Sequence, residues 1–247
     1  MIGSGNVATV LGRLIINNNH QVTQVISRDI ENAKLLAQEL GASYDDFNAR
    51  PDSNADIFIL AIADQALEHF FTGLGMGDKL VVHTAGSVSI DILKKFSSRY
   101  GILYPLQSLR KEMSIIPPIP FLIDGNTDEV TKCIEDFATT ISHSVKRAAD
   151  DERLKLHAAA VIVSNFTNHL YTIAEDFCQK ENIDFNLLKP LLLETASRVQ
   201  HISPSKVQTG PAVRKDILTM DKHLRIFAAH PRLRTMYLRL TDSIMNP

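Results

Sequence analysis

Cysteine is scarce in this chain. Its 247 residues include two, Cys133 and Cys178, too far apart for a disulfide framework or the spacing of zinc ligands. They read as free, partly buried thiols in a reducing compartment. Net charge is nearly absent as well: 26 basic against 28 acidic residues leave a formal −2, which argues against an electrostatic nucleic-acid binder. No apolar run reaches the roughly 20 residues a membrane helix needs, no signal-peptide pattern stands at the start, and no repeat or low-complexity tract interrupts the chain. What remains, 45% hydrophobic and 22% charged, is ordinary for a globular protein of one large or two modest domains. The expectation is a cytoplasmic protein with no nucleic-acid partner, no membrane partner and no metal site.

What is present begins at the first residues. Gly3-x-Gly5-x-x-Ala8 is the glycine fingerprint of a dinucleotide-binding βαβ unit, with Ala as the third small residue. Gly3 makes the tight turn out of a strand, Gly5 lets the backbone approach a pyrophosphate, and Ala8 allows the helix to pack closely on the sheet. The following helix start offers free N–H groups and a positive dipole end to phosphates, so Gly3, Ser4, Gly5, Asn6 and Val7 are cofactor-binding candidates. A helical run (Val7, Val10, Leu11, Leu14, Ile15) and a strand-like run (Val22 to Ile26) supply the βαβ context. Only Met1 and Ile2 precede the turn, whereas a strand usually has about five residues. The expectation is therefore that the natural protein begins several residues upstream and that Met1 is an internal start.

The first half alternates strand and helix signals, which predicts a mostly parallel, doubly wound sheet. Strands are expected at Gln21–Ser27, Ala42–Tyr44, Asp56–Ile62, Lys79–His83, Gly101–Tyr104, Phe121–Ile123 and Ser144–Lys146. Helices are expected at Ile30–Leu40, capped by Asp29 and stopped at Gly41, and at Ala66–Phe71, Ile90–Phe96 and Val130–Ile141. From Asp151 onward only helical patterning remains: Glu152–Lys180, Asn186–Val199 with Pro190 in its first turn, Arg214 or later to His230, and Pro231–Ile244. A loop rich in turn formers, Ser203 through Pro211, lies between them. The fold class is α/β, an N-terminal Rossmann-type doubly wound sheet plus a C-terminal all-α domain, divided as 1–149 and 150–247. A helical second domain of this size suggests a homodimer.

An acidic residue about 20 positions past the glycines marks NAD sites, and an arginine accommodates the 2′-phosphate of NADP. Here the second strand ends in Ser27-Arg28, which points to NADP(H); the competing reading leaves Arg28 solvated and gives the ribose to Asp29. Cofactor and substrate meet beyond the carboxyl ends of the strands. Ala61, Ile62 and Asp64, Thr84 in His83–Ser87, and Gln107 in Tyr104–Ser108 fall there. Thr84, Gln107 and Ser108 offer hydrogen bonds near a nicotinamide. On the long helix His157, Val161, Asn165 and Asn168 are spaced to share one face. His157 is a candidate proton donor and Asn165 an orienting group, with a satisfied interface histidine as the other reading of His157. Arg214 is a candidate clamp for an anionic substrate, or else the partner of Asp216.

These stretches occur together in one order: Gly3-Ser4-Gly5-Asn6-Val7-Ala8, His83–Ser87, Tyr104–Ser108, His157 to Phe166, and Thr209-Gly210-Pro211-Ala212-x-Arg214-x-Asp216. The set resembles the Rossmann-like proteins with a C-terminal DUF2520 domain, often labelled NADP oxidoreductases, over nearly the whole chain. The resemblance implies a Rossmann domain followed by a helical dimerisation domain, as in pyrroline-5-carboxylate reductase, ketopantoate reductase and the β-hydroxyacid dehydrogenases. The last of these place a catalytic Lys one turn before an Asn on the equivalent helix; here that position is Val161, so their mechanism does not carry over and His157 is the nearest replacement. The expected function is an NADP(H)-dependent oxidoreductase moving hydride to or from a small carbonyl, imine or hydroxy acid. The alternative is a non-catalytic NADP(H)-binding sensor or scaffold, and a reduced deazaflavin in place of NADPH stays open.

Overall fold

The fold is taken from a computed structural model, which describes residues 1–69 and 76–246. The chain divides into two compact units, Met1–Ser164 and Asn165–Pro247.

The first unit is a parallel-dominated sheet between helices. Its strands are β1 (Gln24–Ile26), β2 (Ser43–Asp45), β3 (Ile57–Leu60), β4 (Leu80–His83), β5 (Arg99–Pro105), β6 (Phe121–Gly125) and β7 (Val145–Arg147). β1 pairs with β2, and β3 to β7 pair in sequence order; all pairings are parallel except β5 with β6. Ile2 joins the two groups through parallel bridges to Ile26 and Leu60. Two residues thus stand at the centre of the sheet: Ile2 N–H donates to the Ile59 carbonyl and Ile26 N–H to the Met1 carbonyl. Beyond Met1, at the amino ends of β1 and β3, lies a cavity of about 600 Å³ lined by Val22, Gln24, Ile57 and Phe58 among others. It faces away from the carboxyl ends, where ligands of this architecture bind.

The helices of the first unit are α1 (Asn6–Asn17), α2 (Ile30–Leu40), α3 (Asp64–His69), α4 (Asp128–Ile141) and α5 (Asp150–Ala160). Alternate strand residues face opposite sides, as a pleat requires. Ile59, Val82, Leu103 and Ile123 pack with Leu11, Leu36 and Ile134 of α1, α2 and α4. Phe58, Leu60 and Val81 pack with Leu67, Leu93 and Phe96 on the other face. Ile90–Lys95 is a 3₁₀ helix rather than the expected α-helix, and the expected end of the helix at 66–71 lies outside the described residues. Strands are shorter than their apolar runs because strand exits are also apolar: Ala61 is buried without belonging to β3.

The sequence places the boundary at residue 149, where strands stop; packing places it at 164. The difference has a physical cause. The side chain of Arg153 on α5 is 1% exposed. Its Nε donates to the Gly86 carbonyl (3.2 Å) and its Nη2 to the Val88 carbonyl (2.5 Å) and Asp150 Oδ1 (2.7 Å). These bonds bind the first turns of the helix to the sheet unit.

The second unit holds α6 (Thr167–Lys180), α7 (Lys189–Arg198), α8 (Pro204–Val207), α9 (Ile217–Ile226) and α10 (Pro231–Met245). The expected helix at 186–199 begins as a 3₁₀ turn, Phe185–Leu188, and the loop at 203–211 contains α8. Phe177, Phe227 and Tyr237 stack edge to face at 5.2–5.4 Å, and His223 Nδ1 meets the Tyr237 hydroxyl at 2.9 Å. Between α5 and α6, Val161–Phe166 winds as a π-helix, whose i→i+5 bonds take an extra residue per turn. The spacing of His157, Val161, Asn165 and Asn168 by four, four and three therefore does not amount to one α-helical stripe. No helix among the described residues is long and apolar enough to cross a membrane.

Candidate active site

The glycine turn is built as its sequence requires. Gly3 has φ +117°, and a Cβ on it would sit 2.2 Å from the Ala61 carbonyl oxygen. The left-handed backbone and this close approach both demand glycine. The turn brings Ala61 and Ile62 against the fingerprint, and Gly3 N–H donates to the Ile26 carbonyl. Gly5 differs. It is the N-cap of α1 with ordinary φ (−84°), and a Cβ there would meet nothing within 4 Å. No side chain caps α1, so the first N–H groups of a 12-residue helix open onto that space. This is a cradle for an anion, and a dinucleotide pyrophosphate fits it.

Around the cradle the structure assembles several of the expected residues. Ser4 Oγ lies 2.7 Å from Ser27 Oγ, tying the glycine turn to the end of β1. Asn6 Oδ1 accepts from Lys111 N–H (3.1 Å), and Arg13 Nη1 donates to the Lys111 (2.7 Å) and Met113 (3.2 Å) carbonyls. These bonds hold the segment after β5 beside the start of α1. Val7 is half-buried and packs on the core. Asp29 spends its carboxylate on α2, accepting from Asn32 N–H (3.0 Å) and Asn32 Nδ2 (2.6 Å). Arg28 is exposed beside it with no ion pair among the described residues.

The exits of β3, β4 and β5 converge at the same carboxyl edge. Asp64 opens α3 and accepts a hydrogen bond from the Ser87 hydroxyl. Thr84 is buried and turned inward, its hydroxyl 3.5 Å from the Leu60 carbonyl; it binds backbone rather than facing outward. His83 is fully buried, and burial, with Arg153 nearby, pushes its pKa down to about 4. It stays neutral, with Nδ1 accepting from Ala85 N–H (3.2 Å). Gln107 is engaged within its own loop, Nε2 donating to the Pro118 carbonyl (3.3 Å) and Oε1 accepting from Ser108 N–H (2.9 Å); it is not bonded to His157.

His157 is bonded to Tyr104 at the end of β5. Tyr104 Oη lies 2.9 Å from Nδ1, with the rings edge to face at 5.9 Å. Gly86 lies beneath both: a Cβ on it would fall 2.7 Å from His157 Nδ1 and 2.8 Å from the Tyr104 ring. Burial pushes the Tyr104 pKa up, with Asp64 acting in the same direction. Sequence reasoning singled out His157 but not Tyr104; the available signal was a tyrosine at a strand exit, and its partner is 53 residues away. Asn165 and Arg214 belong to the second unit, where both are exposed. Asp216 caps α9 through Thr219 N–H (3.1 Å), and no ion pair joins it to Arg214.

An uncapped helix start behind a glycine turn, an exposed arginine just after β1 and a polar pair at the strand exits form an arrangement that a nicotinamide dinucleotide fits. Comparison with known families agrees. Residues 1–87 match the family model described as NADP oxidoreductase coenzyme F420-dependent, and residues 119–244 match the domain of unknown function DUF2520. The chain belongs to the DUF2520 family, and the family match gives NADP(H) as the cofactor.

A crystal structure from Bacteroides fragilis, provisionally described as an NADP oxidoreductase, is 35% identical, with a TM-score of 0.90 over 100% of this chain and 96% of that one. The fold is also similar to a reductive aminase from Aspergillus terreus in complex with NADPH and ethyl-5-oxohexanoate (15% identity, TM-score 0.68, 98% and 92% covered). It is similar as well to 1-pyrroline-5-carboxylate reductase from Streptococcus pyogenes (15%, 0.64, 100% and 97%). No curated protein sequence matches the chain. Among the described residues no group of three or more His, Cys, Asp or Glu is placed to hold a metal ion.

Proposed function

We propose that the protein is an NADP(H)-dependent reductase of small carbonyl or imine compounds, working in reverse on the matching hydroxy acids or amines. NADPH supplies the hydride. The residues of this chain bind the dinucleotide at Gly3–Val7, Ser27 and Arg28, and they supply the proton. The observation that carries the reading is the Tyr104–His157 pair, which presents an acid–base group at the carboxyl edge, where Val161 stands in place of the lysine of the β-hydroxyacid dehydrogenases. The similarity of fold to a reductive aminase and a pyrroline-5-carboxylate reductase supports C=N as well as C=O substrates.

The test is NADPH oxidation over a panel of small ketones, keto acids and cyclic imines. His157→Ala should remove most turnover while leaving NADPH binding within twofold. Asn165→Ala and Arg214→Ala ask whether the second unit contributes to substrate affinity. Tight NADPH binding by the wild type with no turnover across the panel would refute the reading in favour of a sensor or scaffold.

The second unit also supports a homodimer. Of its described hydrophobic residues only Cys178, Ala212 and Met220 are buried, while Leu187, Leu193 and Leu218 are 73–79% exposed. Apolar surface on this scale marks an interface, and sedimentation should show twice the chain mass. Free Cys133 and Cys178 suit a reducing compartment such as the cytoplasm.

A further inference from the structure

We propose that Tyr104 is the positioning residue of the proton-transfer step: its hydroxyl engages His157 Nδ1 and so makes Nε2 the nitrogen that exchanges the proton with substrate. The inference rests on the reading of His157 as proton donor. It adds how this chain makes one ring nitrogen the working one.

Three features carry it. The first is the 2.9 Å contact of Tyr104 Oη with Nδ1. A neutral imidazole has one donor and one acceptor nitrogen, and the bond made by one fixes the state of the other. Burial keeps the Tyr104 phenol protonated; in the proposed arrangement its oxygen accepts from Nδ1–H, so the neutral ring holds its hydrogen on Nδ1 and leaves Nε2 bare to take a proton. The second is that a hydroxyl both donates and accepts. Whether Nε2 is bare or protonated, Nδ1–H donates to Tyr104 Oη, and the pair survives the change of charge. The third is the backing. Arg153 and His157 stand four apart on α5 and so share a face. Arg153 grips the Gly86 and Val88 carbonyls, while His157 lies over Gly86, where a side chain would collide with both rings. The turn, the helix and the pair are one assembly.

The step balances without a further reagent. Hydride forms the C–H bond and the C=O or C=N π pair moves to the heteroatom. The Nε2–H bond of the imidazolium breaks and an O–H or N–H bond forms. The neutral ring keeps Nδ1–H on Tyr104 Oη, and Nε2 regains its proton from water.

The experiment reads the ring directly. Long-range ¹H–¹⁵N spectra of ¹⁵N-labelled protein at alkaline pH, assigned by the signals missing from His157→Gln, report which nitrogen carries hydrogen. Wild type should show the Nδ1–H tautomer; Tyr104→Phe and Gly86→Ala should show a mixture. With 1-pyrroline and cyclohexanone as probes, Tyr104→Phe should lower kcat at least tenfold, with KM and the NADPH Kd within twofold. An unchanged tautomer in Tyr104→Phe would overturn the proposal, as would a loss in NADPH affinity equal to that in kcat. If wild type binds NADPH but turns over neither probe nor the wider panel, the reductase reading fails, while the spectra still decide whether Tyr104 sets the tautomer.

Discussion

Replacing Arg153 with methionine tests the assembly at its base. The guanidinium is almost wholly enclosed and makes three hydrogen bonds, to Gly86, Val88 and Asp150. Methionine fills much of the same volume and makes none of them. Hydrogen bonds from a charged group contribute about 1.5–3 kcal/mol each, and an acceptor stranded inside costs about 1–3 kcal/mol. Removing one member of a buried ionic pair generally costs about 3–5 kcal/mol. Two features of this site pull the figure down. Arg153 Nη1 has no partner among the described residues, so removing it relieves a cost already present, and the Asp150 side chain is 41% exposed, so its charge returns to water. The expected loss is about 3 kcal/mol, at the lower end of that range.

The assay is urea unfolding followed by far-ultraviolet circular dichroism, because the chain has no tryptophan. The midpoint should fall with an unchanged slope, as for a loss of stability without a change in the surface exposed. Arg153→Lys, which keeps the charge but has no planar fork to span two carbonyls, should fall between. A midpoint for Arg153→Met within about 1 kcal/mol of wild type would show that these bonds do not tie α5 to the sheet, and the support argued for His157 would fall with them.

Arg28→Ala should weaken NADPH binding about 10- to 100-fold, the equivalent of one charge-assisted bond, and NADH by less than twofold in the same titration; equal losses would return the ribose to Asp29. Gly5→Ala should keep the unfolding midpoint close to wild type yet abolish NADPH binding, since its Cβ enters open space in front of α1, whereas Gly3→Ala should fail on both counts because its Cβ strikes the Ala61 carbonyl. His83 binds its proton at about pH 4 when folded against 6.5 when exposed, so between those values the unfolded chain holds more protons. Stability is therefore full above about pH 6.5 and falls by about 3 kcal/mol as pH drops toward 4; His83→Gln should flatten that slope in urea midpoints taken from pH 7 to 4.5.

The parts legible in the sequence are those in which local chemistry decides the outcome. Gly3 and Gly5 declare a turn and an anion cradle because only glycine tolerates the first and leaves room for the second. Asp29 and Gly41 bound α2 as cap and stop, the latter with left-handed φ (+67°). Helices and strands in the first unit follow the periodicity of their apolar residues. The antiparallel insertion of β6 next to β5 leaves no such trace, because an apolar run of five residues reads the same in either direction. The π turns at 161–166 are equally silent: an extra residue per turn changes which side chains share a face without changing composition.

The domain boundary and Tyr104 stayed hidden for one common reason: each depends on a partner distant in sequence. On its own α5 reads as a solvated helix, acidic in its first turn and carrying several charges, and nothing local separates Arg153 from the exposed Lys155 two residues on. What buries Arg153 is the pair of carbonyls at Gly86 and Val88, left free by a turn that leads out of β4. Once that contact forms, α5 belongs to the sheet unit and His157, one turn further on, is delivered to Tyr104. Helical character alone therefore assigns α5 to the second domain, while its burial assigns it to the first. The candidate acid of the site arises from this exchange: the sheet edge supplies the tyrosine and the glycine floor, and the first helix beyond the last strand supplies the histidine.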